Sequence, residues 1–350
     1  TRSFISRCTV RSNASIVVVC VALLVLCAAN VPSPINVKLK FPESWPIPTY
    51  DFTTNPLTAE GIALGRKLFY DPILSSDSIV SCSSCHLSFT AFTHVDHAVS
   101  HGVGDSIGTR NSLALMNLAW SRSFMWDGAV NHLDMQALAP INHPDEMGET
   151  TAHVVAKLQR TNIYPQLFEN VYGDATITGE RMLKALSQFE LTLISANSKY
   201  DRVMQKTEAF TEQETNGYAL FKTNCSACHQ EPLFTTGEFA NNGLPIDTVF
   251  NDFGRMLITK DPADSLKFKI PTLRNIEFSF PYMHDGRFKS LRNVLDHYTE
   301  CIQHSSTLAP ELQNGLTLSK NERTDVVAFL LTLSDREFCF NQDHGYPREQ

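Results

Sequence analysis

Twice in this chain two cysteines stand one helical turn apart with a histidine directly behind them: Cys82-Ser83-Ser84-Cys85-His86 and Cys225-Ser226-Ala227-Cys228-His229. Thiols at that spacing add to the two vinyl groups of one haem, and the next residue's imidazole reaches its iron. A lone Cys-x-x-Cys also suits zinc or a redox pair, but a zinc site wants further Cys/His pairs and none stands nearby. Two covalently bound c-type haems therefore constrain the fold more than any other feature. Each motif requires a unit that wraps a porphyrin.

The 350 residues, 43% hydrophobic and 10% aromatic, suffice for two cores. A formal net charge of -8 and a pI near 5.8 leave no Lys/Arg surplus for neutralising phosphates, which argues against nucleic acid. An acidic face would steer a small basic electron donor toward the chain. In residues 1–30, Arg2, Arg7 and Arg11 precede an apolar run from Ile16 to Ala29 that ends in Cys27-Ala28-Ala29. That is the pattern of a secretory signal peptide, too short for a comfortable membrane span, and it predicts a periplasmic protein. Of nine cysteines, Cys8, Cys20 and Cys27 fall in or before this signal, and four belong to the haem motifs. Cys301 and Cys339 remain, and an oxidising compartment lets them pair if the fold brings them close, so that bridge stays open.

Residues 31–56 form a proline-rich lead-in, suited to an extended wrap over a domain. Thr58 then caps a helix with apolar positions Ile62, Leu64, Leu68 and Phe69, halted by Asp71-Pro72 shortly before the first haem motif. The order returns later: a Thr211/Glu214 capping box, a helix bearing Tyr218, Leu220 and Phe221, then the second motif, a weak internal repeat. Ser319 and Glu322 begin a closing helix with Val326, Val327, Phe329, Leu330 and Leu333. Between the units, residues 152–158 and 181–195 read as helices, the second with Met182, Leu183, Leu186, Phe189 and Leu193 on one stripe. No βαβ rhythm is present. The expected fold is mainly α, with two cytochrome c-like domains, 57–205 and 206–340, each carrying one haem c.

What fills the sixth position of each iron decides between electron transfer and peroxide chemistry. Candidates are His94, His97, His101, His132 and His143 after the first motif, and Met283, His284, His297, Tyr298 and His304 after the second. Any one of these, taken singly, reads first as a surface or core residue.

Several separated motifs in a fixed order narrow the choice. The two Cys-x-x-Cys-His runs, together with Arg110-Asn111, Phe124-Met125-Trp126-Asp127-Gly128, Gln136, Glu146-Met147, Pro271-Thr272-Leu273-Arg274-Asn275 and Pro281-Tyr282-Met283-His284-Asp285-Gly286, resemble the bacterial dihaem cytochrome c peroxidase and MauG family over residues 45–335. The resemblance implies a peroxidatic haem on Cys82, Cys85 and His86 and an electron-transfer haem on Cys225, Cys228 and His229, with Trp126 between them. It implies that Glu146 moves a proton during peroxide reduction, beside Gln136, and that His101 is the sixth ligand of the resting first haem and leaves on activation. A calcium ion is implied at Asn111, Ser279 and Pro281, where Ser279 replaces the family's threonine. A homodimer is implied too, which nothing in the chain's own pattern establishes.

The family's peroxidases place a methionine on the second haem, and at that position this chain has Tyr298, the feature of MauG. Met283 reads as packing more than ligation. A thioether favours ferrous iron, whereas a phenolate stabilises ferric and higher states. The leading expectation is a peroxidase reducing hydrogen peroxide to water with electrons from a small cytochrome c or copper protein. The alternatives are a MauG-like enzyme oxidising a protein substrate with peroxide, and a dihaem electron carrier, against which Glu146, Gln136 and Trp126 argue.

Overall fold

The computed structural model describes residues 34–348, so the signal segment and its three cysteines lie outside the described residues. The fold is mainly helical, in cytochrome c-like units. Helix α1 (Ala59–Tyr70) leads to a one-turn helix, α2 (Cys82–Cys85), and then, after loops, to α3 (Leu133–Gln136) and α4 (Leu138–Asn142). Next come α5 (Thr151–Gln159), α6 (Tyr164–Tyr172), α7 (Gly179–Leu191) and α8 (Lys199–Met204). The second half runs α9 (Glu212–Asn224), α10 (Met256–Thr259), α11 (Leu291–Glu300), α12 (Lys320–Leu331) and α13 (Arg336–Cys339). The named strands β1 (Phe239–Ala240) and β2 (Phe268–Lys269) pair antiparallel, Phe239 opposite Lys269.

The caps form where the sequence puts them. The Thr58 hydroxyl accepts from the Gly61 N–H, and Thr211/Glu214 and Ser319/Glu322 make reciprocal capping boxes, which satisfy amide donors left free at a helix start.

The internal repeat goes further than the capping pattern. Gly65-Arg66-Lys67-Leu68-Phe69 in α1 matches Gly217-Tyr218-Ala219-Leu220-Phe221 in α9, and Phe189-Glu190-Leu191-Thr192-Leu193 matches Phe329-Leu330-Leu331-Thr332-Leu333. A Cβ on Gly65 would lie 1.9 Å from the Ala185 carbonyl oxygen, and one on Gly217 1.9 Å from that of Asp325. Glycine thus lets α1 cross α7, and α9 cross α12, backbone against backbone. Phe69 stacks edge-on with Phe189 at 5.3 Å, and Phe221 meets Phe329 at 5.0 Å, each pair buried at the centre of its own apolar cluster.

Three features depart from the sequence reading, and one question it left open is answered. The helix expected over 181–195 ends at Leu191, because the Thr192 hydroxyl turns back to the Phe189 carbonyl at 2.6 Å and buried Ser195 bonds instead with Asn117 and Asp335. Helices α6 and α11 stand outside the helices expected, although each carries helical apolar spacing, Tyr164, Leu167, Phe168 and Val171 in one and Leu291, Val294, Leu295 and Tyr298 in the other. The segment after Ser334 leaves the second cluster, since Phe338 and Cys339 pack into the first, and Tyr70 and Arg66 bond to the carbonyls of His344 and Gly345. Cys301, exposed at the end of α11, and Cys339, buried in the first cluster, are both free thiols.

Two charge clusters join the halves. Arg110 bonds Asp127 at 2.6 Å and holds Asp252 in a bidentate grip at 2.6 and 2.9 Å. Arg274, fully buried, holds Asp201 through two bonds of 2.8 and 2.9 Å and lies 4.6 Å over the ring of Trp45, which the lead-in contributes to the first cluster. Among the described residues no helix is long and apolar enough to cross a membrane.

Candidate active site

Each attachment motif presents its thiols and imidazole into its own unit. In the first, Cys82–Cys85 is a one-turn helix; in the second, Cys225 caps α9. His86 Nδ1 lies 2.7 Å from the Phe92 carbonyl, and His229 Nδ1 lies 3.2 Å from that of Phe234. A carbonyl only accepts, so Nδ1 carries the proton in both rings and the Nε2 lone pair is free for a metal. Phe92 and Phe234 both adopt left-handed backbone, φ 59° and 54°. Burial lowers the pKa of His86 and takes His229 to about 4, so both rings stay neutral, as iron ligation requires. The donor set, two thiols and one oriented neutral imidazole per unit, fits haem c.

Glu146 is half-buried, and burial raises its pKa, with His143 opposing and Asp145 adding. Its carboxylate is near enough to Cys85 to raise that thiol further after burial has done so. The His101 loop backs onto the same segment: Val103 N–H donates to the Glu146 carbonyl at 2.8 Å, and a Cβ on Gly102 would lie 2.0 Å from the Asp145 carbonyl oxygen. His101 Nδ1 meets Asp105 at 2.6 Å, its ring is 4.8 Å from that of His97, and its carbonyl accepts from the Cys85 thiol at 3.8 Å. Gln136 makes no hydrogen bond to Glu146 and donates to Met125 Sδ at 3.7 Å.

The repeat continues through this region. Phe124-Met125-Trp126-Asp127-Gly128 matches Tyr282-Met283-His284-Asp285-Gly286, with an antiparallel bridge from Phe124 to Val130 and from Tyr282 to Phe288. Both methionines have positive φ, 68° and 76°. Counting on from them, α3 and α4 together coincide with α11, and Pro140 falls where the second unit has Tyr298. In the second unit the Asn242 side-chain nitrogen lies 3.4 Å from both Met283 Sδ and the Tyr298 hydroxyl, so the two candidate ligands converge on one spot. Burial raises the Tyr298 pKa, the Asn242 hydrogen bond opposing and the Cys225 and Cys228 thiols adding.

The other ligand candidates are occupied elsewhere. His297 Nε2 meets the Asn242 carbonyl at 3.0 Å, and His284 stacks on Phe268 at 3.7 Å. His94 and His97 stack on each other at 5.7 Å, while His132, His143 and His304 are exposed.

Residues 59–209 match the di-haem cytochrome c peroxidase profile, and residues 214–334 match cytochrome c. The chain is 37% identical over 306 residues to the methylamine utilization protein MauG of Methylorubrum extorquens, covering 85% of this chain and 84% of that protein. It is 33% identical over 287 residues to the cytochrome c551 peroxidase of Nitrosomonas europaea, covering 80% and 81%. The chain belongs to the dihaem cytochrome c peroxidase and MauG family. A solved structure of a MauG-like protein associated with microbial copper homeostasis superposes with a TM-score of 0.81 at 29% identity, covering 89% of this chain and 99% of that one. The two cytochrome c domains imply haem c, and the family is one of oxidoreductases that includes both peroxidases and MauG proteins.

For a dihaem family member the seam between the units matters most. Trp126 is buried there, its Nε1–H donating to the Asn111 carbonyl at 2.8 Å, with the His284 ring 6.5 Å away. Asn111 N–H donates to the His284 carbonyl at 2.7 Å, and its side-chain amide donates to the Ala98 carbonyl at 3.0 Å. Ser279 N–H donates to the Asn275 carbonyl at 3.2 Å, in the loop that carries Pro281.

Three features escaped the sequence reading. Glu190 is 4% exposed, its carboxyl receives no hydrogen bond from a described residue, and burial and then Asp134 push its pKa up to about 8. Its repeat partner is Leu330, and that Glu/Leu contrast was the available signal. Asn242 lies in an irregular stretch with no periodicity to mark it. Tyr200 and Tyr218 both donate to Glu231, which nothing short of the fold brings together.

Proposed function

We propose that this family member reduces hydrogen peroxide at a haem held by Cys82, Cys85 and His86, with electrons passed from a haem held by Cys225, Cys228 and His229, the two units meeting near residue 205. Bound haem supplies the iron at which the O–O bond is cleaved. The chain's own contribution is proton handling: Glu146, its pKa raised by burial, moves a proton between the two peroxide oxygens, and Gln136 assists it. The observation that carries the reading is Pro140 standing where the second unit has Tyr298, because proline offers iron no donor atom and leaves room for peroxide.

Trp126 lies in the seam as an electron path, and His101 serves as the resting cap, on a loop hydrogen-bonded to the Glu146 segment so that loop movement and acid placement are linked. Calcium at Asn111, Ser279 and Pro281 would tie the seam through oxygen donors. The donor is a small cytochrome c or copper protein, the site of action periplasmic, and the assembly a homodimer.

A second reading, peroxide-driven oxidation of a protein side chain as in MauG-like enzymes, is favoured by Tyr298, since a phenolate ligand would let the second haem also lose an electron. Steady-state oxidation of a reduced small cytochrome c by peroxide separates the two. Turnover lost in Glu146→Gln supports the peroxidase. Absence of donor oxidation while peroxide still bleaches the haem bands moves protein oxidation to first place.

A further inference from the structure

Glu231, two residues past His229, is the common acceptor for two phenols. Tyr200, on α8, donates to its Oε1 at 2.5 Å, and Tyr218, on α9, donates to the same oxygen at 2.7 Å. These lengths fall in the range of O–H···O⁻ bonds, with one carboxyl oxygen accepting from both hydroxyls. Burial raises both phenol pKa values, and the bond to Glu231 raises them further, so neither ring ionises by itself.

The cluster spans from the second haem motif to the surface. His229 Nδ1 rests on the Phe234 carbonyl, the Phe234 ring is 4.8 Å from that of Tyr200, and Tyr200 is 6.3 Å from Tyr218. Tyr200 is 4% exposed, whereas Tyr218 is half-buried beneath exposed Lys222, whose ammonium sits 5.4 Å from its ring. The first unit has no counterpart, since Arg66 stands at the repeat position of Tyr218 and Ser88 at that of Glu231.

We propose that Tyr200 and Tyr218, with Glu231 as their shared proton acceptor, form a redox relay that carries oxidising equivalents from the second haem to the surface of its domain. A buried phenol that cannot ionise gives up an electron only if its proton leaves at the same time, and a carboxylate 2.5–2.7 Å away takes that proton without any atom travelling. In each pass one phenol would lose one electron to the second haem and one proton to Glu231. The neutral tyrosyl radical would then take one electron from a small one-electron redox protein docked near Lys222, and the proton would return from Glu231. Two passes supply the two electrons that one peroxide consumes in becoming two waters, and the two protons this needs come from solvent at the first haem site. The relay rests on the peroxide reading above and extends it by naming an exit on the second domain.

The test is rapid-freeze electron paramagnetic resonance of the ferric holoprotein carrying His101→Ala, which lifts the resting cap, mixed with hydrogen peroxide in the absence of any donor, with the Soret band followed in parallel. This parent is expected to give a tyrosyl radical whose hyperfine pattern narrows on ring-deuterated tyrosine. That signal is lost when Tyr200→Phe/Tyr218→Phe is added and reduced when Glu231→Gln is added, while the Soret response to peroxide stays intact in all of them. Phenylalanine keeps the ring packing, so the tyrosine substitutions remove the hydroxyls alone. An undiminished radical in the double tyrosine variant, or no radical in a parent whose Soret band responds to peroxide, overturns the relay alone. A parent Soret band indifferent to peroxide overturns the relay and the peroxide reading together.

Discussion

Pro140 of the first unit and Tyr298 of the second occupy one position of the internal repeat, each the same number of residues after the left-handed methionine of a Met-x-Asp-Gly turn. The second unit therefore carries a phenol at the position where the first carries a ring with no donor atom. In Pro140→Tyr a phenol at that place is expected to hold the first haem six-coordinate in the half-reduced protein, after His101 has left. Peroxide reactivity then falls while absorbance still reports two attached haems. Full reactivity with an unchanged ligand field would show that the repeat does not carry ligation.

Glu146→Gln keeps the shape and removes the acid. Proton transfer of this kind contributes about 10²–10⁴-fold, so kcat/KM for peroxide is expected to drop by that order with haem content unchanged. The pH profile carries a sign. Burial raises the Glu146 pKa, and the carboxylate form accepts the proton, so wild-type kcat/KM rises with pH through that raised value. The glutamine variant lacks that limb, and stopped-flow peroxide kinetics across pH would show whether it does.

Glu190 gives a pH dependence of stability. Its pKa is about 8 in the folded chain, against about 4.3 when unfolded, so the folded state binds the extra proton. Its contribution is fully favourable below the unfolded value and is lost as pH climbs toward 8, at up to about 1.4 kcal/mol per pH unit. Glu190→Leu, which restores the residue found at Leu330, should remove that slope from denaturant midpoints measured between the two values. An unchanged slope would place the carboxylate in contact with water.

Arg274 and Asp201 are buried together, so truncating one leaves the other's charge uncompensated. Arg274→Met is expected to cost about 3–5 kcal/mol in chemical denaturation. Pairing it with Asp201→Leu should recover part of that loss, because two apolar groups then replace two charges.

The helix crossings and the site were legible to different degrees, for physical reasons. The haem motifs, the caps at Thr58, Thr211 and Ser319, and the stripe from Met182 to Phe189 are local patterns fixed by covalent spacing or helical period, and the structure contains them. Helix α11 was legible as well, since Leu291, Val294, Leu295 and Tyr298 stand at helical spacing behind the Ser290 cap. The return of Phe338 and Cys339 to the first cluster, and with it the separation of Cys339 from Cys301, is a long-range packing choice with no local signature. The same holds for the Asn242 contact with Met283 and Tyr298 and for the two tyrosines on Glu231, whose partners come from separate elements. Glu190 was hidden inside an otherwise ideal apolar stripe, and only alignment with Leu330 makes it conspicuous.

Electron paramagnetic resonance of the half-reduced holoprotein, before and after peroxide, tests the central asymmetry between the two haems most directly. With the second haem ferrous and silent, the account expects a high-spin ferric signal from the haem of Cys82, Cys85 and His86, abolished when peroxide is added and retained in Tyr298→Phe. A first haem that stays low-spin and unaltered by peroxide would contradict it.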